Sequence, residues 1–176
     1  MQEDQVSIFI VDDDKVLSTV LKNEIRRNFP QENIVIYTFE VGELCESFMG
    51  NKPDIAIVDY HMNSYFKDAI DGIKVIDLFK KESPDTNVIL FTKEENIGLA
   101  VEAFEHGAHD YVVKNEFMFR RLNVALVQCL KLRKMKQELV RQKKRGMMAV
   151  YLMTILLACA MILQFIVPGF LLSRTT

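Results

Sequence analysis

The residues able to do chemistry stand at the ends of short apolar runs. IFIV leads into Asp12-Asp13-Asp14, IAIV (55–58) ends at Asp59, NVILF (87–91) ends at Thr92, and Asp110-Tyr111-Val112-Val113 ends at Lys114. Carboxylates beside a hydroxyl and an ammonium suit the handling of a phosphoryl group. Such a site needs an exposed nucleophilic carboxylate and a divalent cation held by hard oxygen ligands. A fixed ammonium and a hydroxyl then bind the remaining phosphoryl oxygens, because the transition state is stabilised mainly by positioned charge. Asp12, Asp13 and Asp59 supply the oxygens and the acceptor; Lys114 and Thr92 supply the rest. Without a cation, clustered carboxylates raise one another's pKa values, so a metal belongs to the reading.

The elements that must position these groups follow from the hydrophobic pattern. Runs of four to six aliphatic residues separated by helical patterns read as strands of a parallel sheet covered on both faces. The spacing predicts strands over 6–11, 33–39, 55–58, 87–91 and 110–113. It predicts helices over 16–29, near 41–49, from Asp71-Gly72 to Lys81, and over 95–106. In the first helix Val16, Leu17, Val20, Leu21 and Ile25 share one face. Repeated crossovers favour a doubly wound five-stranded parallel sheet over a barrel. In such sheets the ligand crevice lies outside the carboxyl ends of the strands, where the charged endpoints converge.

The 176 residues carry 22 basic and 24 acidic side chains, a net charge of −2 that argues against a dedicated nucleic-acid surface. Cys45, Cys129 and Cys159 show no metal or disulfide spacing, and His61, His106 and His109 fit no common ligand pattern. No N-terminal signal peptide is expected. From about Phe117 the pattern is helical as far as Gly146, and Leu132, Met135 and Leu139 follow a 3–4 spacing consistent with a short coiled coil or a solvated linker. Met147 to Val167 is a run of 21 residues without a formal charge, roughly 31 Å as a helix and enough to cross a hydrocarbon core of about 30 Å. Arg141, Lys143, Lys144 and Arg145 precede it and only Arg174 follows. The positive-inside bias then keeps the N-terminal part in the cytoplasm and the tail outside, a single pass through the cytoplasmic membrane. The expected division is a domain over 1–130, a basic helical linker over 131–146, a transmembrane helix over 147–172 and a tail over 173–176. Within the span, Thr154 and Ala158 form a small-xxx-small pair.

In order and spacing, IFIVDDD, IAIVDYHM, NVILFT and GAHDYVVK resemble the receiver domain of two-component response regulators, a flavodoxin-like fold, over about residues 5–130. The resemblance implies that Asp59 is the phosphoacceptor. It implies that Asp13 and Asp59 hold Mg²⁺ directly with the main-chain carbonyl of His61, while Asp12 acts through water. Thr92 would bind the phosphoryl group, and Lys114 would pair with Asp59 or its phosphate. Tyr111 matches an aromatic position that turns inward with Thr92 in the active state. His61 and Glu94 match positions that influence how long the phosphoryl group survives. The chain departs from the family where Asn63 and Asn115 replace common prolines, the second in a cis bond. It departs also in a longer Ser64–Ile70 link, and where Lys93 crowds a position usually small.

The function so implied is a membrane-anchored receiver, not an enzyme. A histidine kinase or phosphotransfer protein would phosphorylate it, and signalling would run through protein contacts rather than DNA. A homodimer through the fourth helix, fifth strand and fifth helix, or through the membrane helix, is a further arrangement. Two rivals stand beside it. One is a receiver-like membrane scaffold that works without phosphate. The other is a haloacid-dehalogenase-type phosphatase with Asp12 as nucleophile and Asp14 as acid/base, in which Asp59 has no role.

Overall fold

The computed structural model describes residues 5–46, 48–62 and 71–172. Its elements are β1 (Gln5–Val11), α1 (Lys15–Asn28), β2 (Asn33–Phe39), α2 (Gly42–Glu46), a 3₁₀ turn (Met49–Asn51), β3 (Ile55–Asp59), α3 (Gly72–Glu82), β4 (Asn87–Thr92), α4 (Ile97–Glu105), β5 (Asp110–Val113) and α5 (Met118–Leu172). The five strands form one parallel sheet in the order β2-β1-β3-β4-β5. The chain therefore turns back between β1 and β3, and this reversal point is where an open α/β sheet forms its crevice.

Side-chain alternation divides the core in two. Phe9, Val11, Ala56, Val58, Val88 and Leu90 face one layer with Ile73, Val75, Ile76 and Phe79 of α3 and Leu99 and Ala103 of α4. Ile8, Ile10, Ile55, Ile57, Ile89, Phe91 and Val112 face the other with Leu21 and Ile25 of α1 and Leu122, Ala125, Leu126 and Cys129 of α5. Both faces are covered, which is why the strands read as unbroken apolar runs rather than alternating ones.

Helix starts follow local chemistry. Asp14 caps α1 by accepting from the Val16 and Leu17 amides, Asp71 caps α3, and Asn96 caps α4, each meeting an orphan donor of the first turn. Several expectations are corrected. The helix anticipated near 41–49 is a five-residue helix and a separate 3₁₀ turn. The apolar stripe on α1 is wider than its buried face: Leu21 and Ile25 are buried, whereas Val16 is 74% and Val20 42% exposed. Those valines each lie one residue, about 100° of helix, off the buried row. The helix after Phe117 does not break at Gly146 but runs unbroken from Met118 to Leu172. One glycine costs a helix only about 1 kcal/mol, too little to end it. The link Ser64–Ile70 and Asn63 lie outside the described residues.

Contacts divide the chain after Lys131. The first unit holds the sheet and the start of α5. The second, from Leu132, is a single helix among the described residues; it is long and apolar enough to cross a membrane, with a mean hydropathy of 1.8 in its most apolar window and none of that window buried.

Candidate functional site

The carboxyl ends of β1 and β3 bring the acidic groups together. One carboxylate oxygen from each of Asp12, Asp13 and Asp59 lies within 4.8 Å of the others. Lys114, just past β5, reaches across them: its Nζ stands 2.9 Å from Asp12 Oδ2 and 2.7 Å from Asp59 Oδ2. The same Nζ lies 5.2 Å from the centre of the Phe91 ring, which adds a cation–π contact at the base of the site. Asp12 is held in turn by its other oxygen, which accepts from the Asp14 amide at 2.9 Å. Its own amide donates to the Phe39 carbonyl of β2 at 3.0 Å.

Asp59 differs from expectation in one respect. An acceptor was expected to be exposed, yet the residue is only 6% accessible, with the Lys114 ammonium against it. Burial pushes its carboxyl above the ordinary carboxylate value and the Asp12 charge adds to this; the Lys114 contact and the His61 amide act in the opposite direction. Three carboxylates against one ammonium leave an excess of negative charge in a nearly dry pocket. That imbalance and the hard oxygen donor set fit a divalent cation.

Thr92 ends β4, one residue past Phe91, the register partner of Asp59. It is fully buried, and its hydroxyl accepts from the Glu94 amide at 3.1 Å. The Lys114 amide donates to the Thr92 carbonyl at 2.7 Å, tying the ends of β4 and β5. Tyr111 donates its hydroxyl to the Glu94 carbonyl at 2.6 Å, so its ring is half-buried against the loop that leaves Thr92. Burial of that hydroxyl raises its pKa.

Three features were not read from the sequence. His61 Nε2 meets Glu94 Oε1 at 2.8 Å, so two residues assigned a shared influence form one bridge between the loops after β3 and β4. Gly72 is a close-approach glycine: a Cβ there would lie 2.6 Å from the Asp59 carbonyl oxygen and 2.7 Å from Tyr60 Cα. Its amide donates to the Tyr60 carbonyl at 3.1 Å, and only the Asp71-Gly72 pair hinted at this. Phe91 under Lys114 carried no signal beyond its place in an apolar run. Two departures also resolve. Lys93 is exposed, and the Lys114-Asn115 bond is trans, as are all described peptide bonds.

A family model for the response regulator receiver domain matches residues 8–126, and the chain belongs to that family. Over 108 residues it is 30% identical to the DNA-binding transcriptional regulator NtrC of Escherichia coli K12, covering 61% of this chain and 21% of that one. A protein-glutamate methylesterase/protein-glutamine glutaminase of Thermotoga maritima is 28% identical over 116 residues, 65% of this chain and 32% of its own. The chain thus spans about a fifth to a third of these curated relatives. Among solved structures, the BeF3-activated DrrB receiver domain superposes with a TM-score of 0.55 at 27% identity, covering 72% of this chain and 98% of that domain. The signal receiver domain of a protein described as a Luxo repressor from Vibrio parahaemolyticus shares the fold, with a TM-score of 0.64 at 24% identity over 76% of this chain and 95% of its own. Family and geometry together overturn the phosphatase reading, which left Asp59 idle: it stands at the centre of the cluster.

Proposed function

We propose that the chain is a membrane-anchored receiver that accepts a phosphoryl group on Asp59. The observation that carries the reading is the contact of Lys114 with both Asp12 and Asp59 beside Asp13. One ammonium is shared by the acceptor and a carboxylate that can hold a cation. Asp13 and Asp59, with the His61 carbonyl, would hold Mg²⁺ directly and Asp12 would hold it through water. When bound, that ion supplies positive charge opposite the phosphoryl oxygens. Asp59 attacks the phosphorus of a phosphohistidine; the phosphorus–nitrogen bond breaks and an acyl phosphate forms. Lys114 then follows the negative charge from the carboxylate to the phosphate. The Thr92 hydroxyl releases the Glu94 amide to bind a phosphoryl oxygen, and Tyr111 follows the same loop because its hydroxyl is tied to Glu94.

The donor is a histidine kinase or phosphotransfer protein. Output runs through protein contacts, for which α4 offers Ile97, Val101 and Phe104, all at least 49% exposed. The same α4-β5-α5 face would serve a homodimer. We place residues 1–130 in the cytoplasm, 131–146 as a basic linker, 147–172 across the membrane and 173–176 beyond it. The burial of Asp59 favours a second reading, a scaffold that keeps this fold without using phosphate. Whole-protein mass measurement after incubation with Mg²⁺ and acetyl phosphate separates them. The receiver gains about 80 Da, the mass of one phosphoryl group, and Asp59→Asn gains nothing. Equal behaviour of the two proteins overturns the assignment.

A further inference from the structure

The helix from Leu132 onward carries a seven-residue pattern whose apolar positions stand exposed among the described residues. Placing Leu132 at position a puts Met135 at d, Leu139 at a, Gln142 at d, Gly146 at a, Ala149 at d, Met153 at a, Leu156 at d and Ala160 at a. In the aqueous half, every charged residue from Lys131 to Arg145 falls outside a and d, while Leu132, Met135 and Leu139 stand 37%, 54% and 65% exposed. Of the four apolar side chains among eight basic ones, Val140 falls at b, and the other three have no reason to line up in water unless something covers them. Lipid cannot cover residues so far before the apolar run.

In the apolar half the same seam changes character but not phase. It takes Gly146, Ala149 and Ala160, small residues that let two backbones approach. Gly146 is a mid-helix glycine at which an added Cβ would meet nothing within 4 Å in this chain. Its helical cost has no compensation inside one copy, and a close neighbouring helix would provide one.

We infer that this seam pairs in parallel with the same seam of a second copy, continuously from Leu132 to Ala160. The identity of the partner follows from symmetry and charge. Copies inserted by the positive-inside rule share one orientation, so their helices meet in parallel; this orientation rests on the single-span reading above. In a parallel pair position g faces e of the next heptad on the other helix. Glu138 at g therefore meets Lys143 of the second copy, twice by symmetry, and it is the segment's one acidic residue. Lys131 and Lys136 meet as like charges one heptad earlier, where water screens them. A straight helix lets a seven-residue seam drift by about 20° per heptad, and the pair takes this up as a left-handed supercoil. Thr154 and Ala158 fall at b and f, off the seam, so the small-xxx-small pair is not the contact.

Cysteine cross-linking in membranes tests the phase. Cys45 and Cys129 are buried and Cys159 is exposed, so the full-length chain carries Cys159→Ala with one new cysteine at a time. Under mild oxidation Leu139→Cys, Gln142→Cys and Ala149→Cys should give covalent dimer at least tenfold more readily than Arg141→Cys, Lys144→Cys and Ala158→Cys. In the Leu139→Cys background, Glu138→Lys should reduce the yield several-fold, and adding Lys143→Glu should restore it. Equal yields around the helix, a maximum at Ala158→Cys, or no dimer at any seam position would overturn the pairing. Membrane fractionation of the same samples reads the span separately, and the mass gain at Asp59 reads phosphate acceptance separately, so failure of either is distinguishable from failure of the seam.

Discussion

At the residue scale the account rests on a buried ammonium between two carboxylates. Removing the cation of such a buried charged group costs about 3 kcal/mol or more, because both carboxylates then lose their partner. Lys114→Met should therefore lower the denaturant midpoint by about that amount, and Mg²⁺ should restore part of the loss by taking the place of the missing positive charge. A variant as stable as the wild type in metal-free buffer would contradict this. Asp59 makes a prediction of opposite sign. Burial raises its carboxyl pKa, so ionising that carboxyl costs more in the folded state than in the unfolded chain. The associated stability is present in acid and is lost as pH rises from the ordinary carboxylate value through the folded one. In metal-free buffer near pH 7, Asp59→Asn should melt a few degrees higher than wild type, and the gain should shrink as pH falls towards about 4. A lower melting point at neutral pH would reverse the argument. Asp12, Asp13, Asp59, Thr92 and Lys114 were legible because each stands at or just past the end of a strand, where chain direction alone decides which edge they share. The His61–Glu94 bridge was not legible, since it depends on how two loops of unrelated sequence approach.

At the scale of elements, helix and strand periods were readable wherever both faces of an element had a fixed burden. β2 and β5 fall on their expected bounds because aliphatic runs flanked by turn residues leave little choice of register. The face of α1 was misjudged because a stripe of valines and leucines does not say which edge meets the sheet, and its two valines face solvent. The start of α3 depends on a contact invisible to periodicity, the passage of Gly72 against the main chain of Asp59. Gly72→Ala should cost about 2 kcal/mol, the range of overpacking at backbone that cannot retreat, read as a lower urea midpoint. An unchanged midpoint would show that the close approach relaxes freely. On α5, burial pushes the Cys129 thiol up to about 12, so it should resist a maleimide at pH 8 until the domain unfolds. Labelling at the rate of an exposed thiol would place it outside the core.

At the scale of the whole molecule, the average composition conceals two different materials. One is a charged α/β unit of familiar balance; the other is a helix whose uncharged run of 21 residues follows a block of basic ones. The extent of that helix was underestimated at Gly146 because a turn signal was given the weight of a break, although neighbouring residues are strong helix formers. Full-length protein should stay with membranes through high-salt and alkaline washes, which strip proteins held by charge alone; release into the wash would contradict a span. The central claim is that Asp59 takes the phosphoryl group. Membranes bearing the chain are given Mg²⁺ and acetyl phosphate and then borohydride, which reduces an aspartyl phosphate to homoserine, and the peptide around position 59 is sequenced by mass. The account predicts homoserine at 59 and intact aspartate at 12, 13 and 14; aspartate retained at 59, or homoserine at a neighbouring position instead, would contradict it.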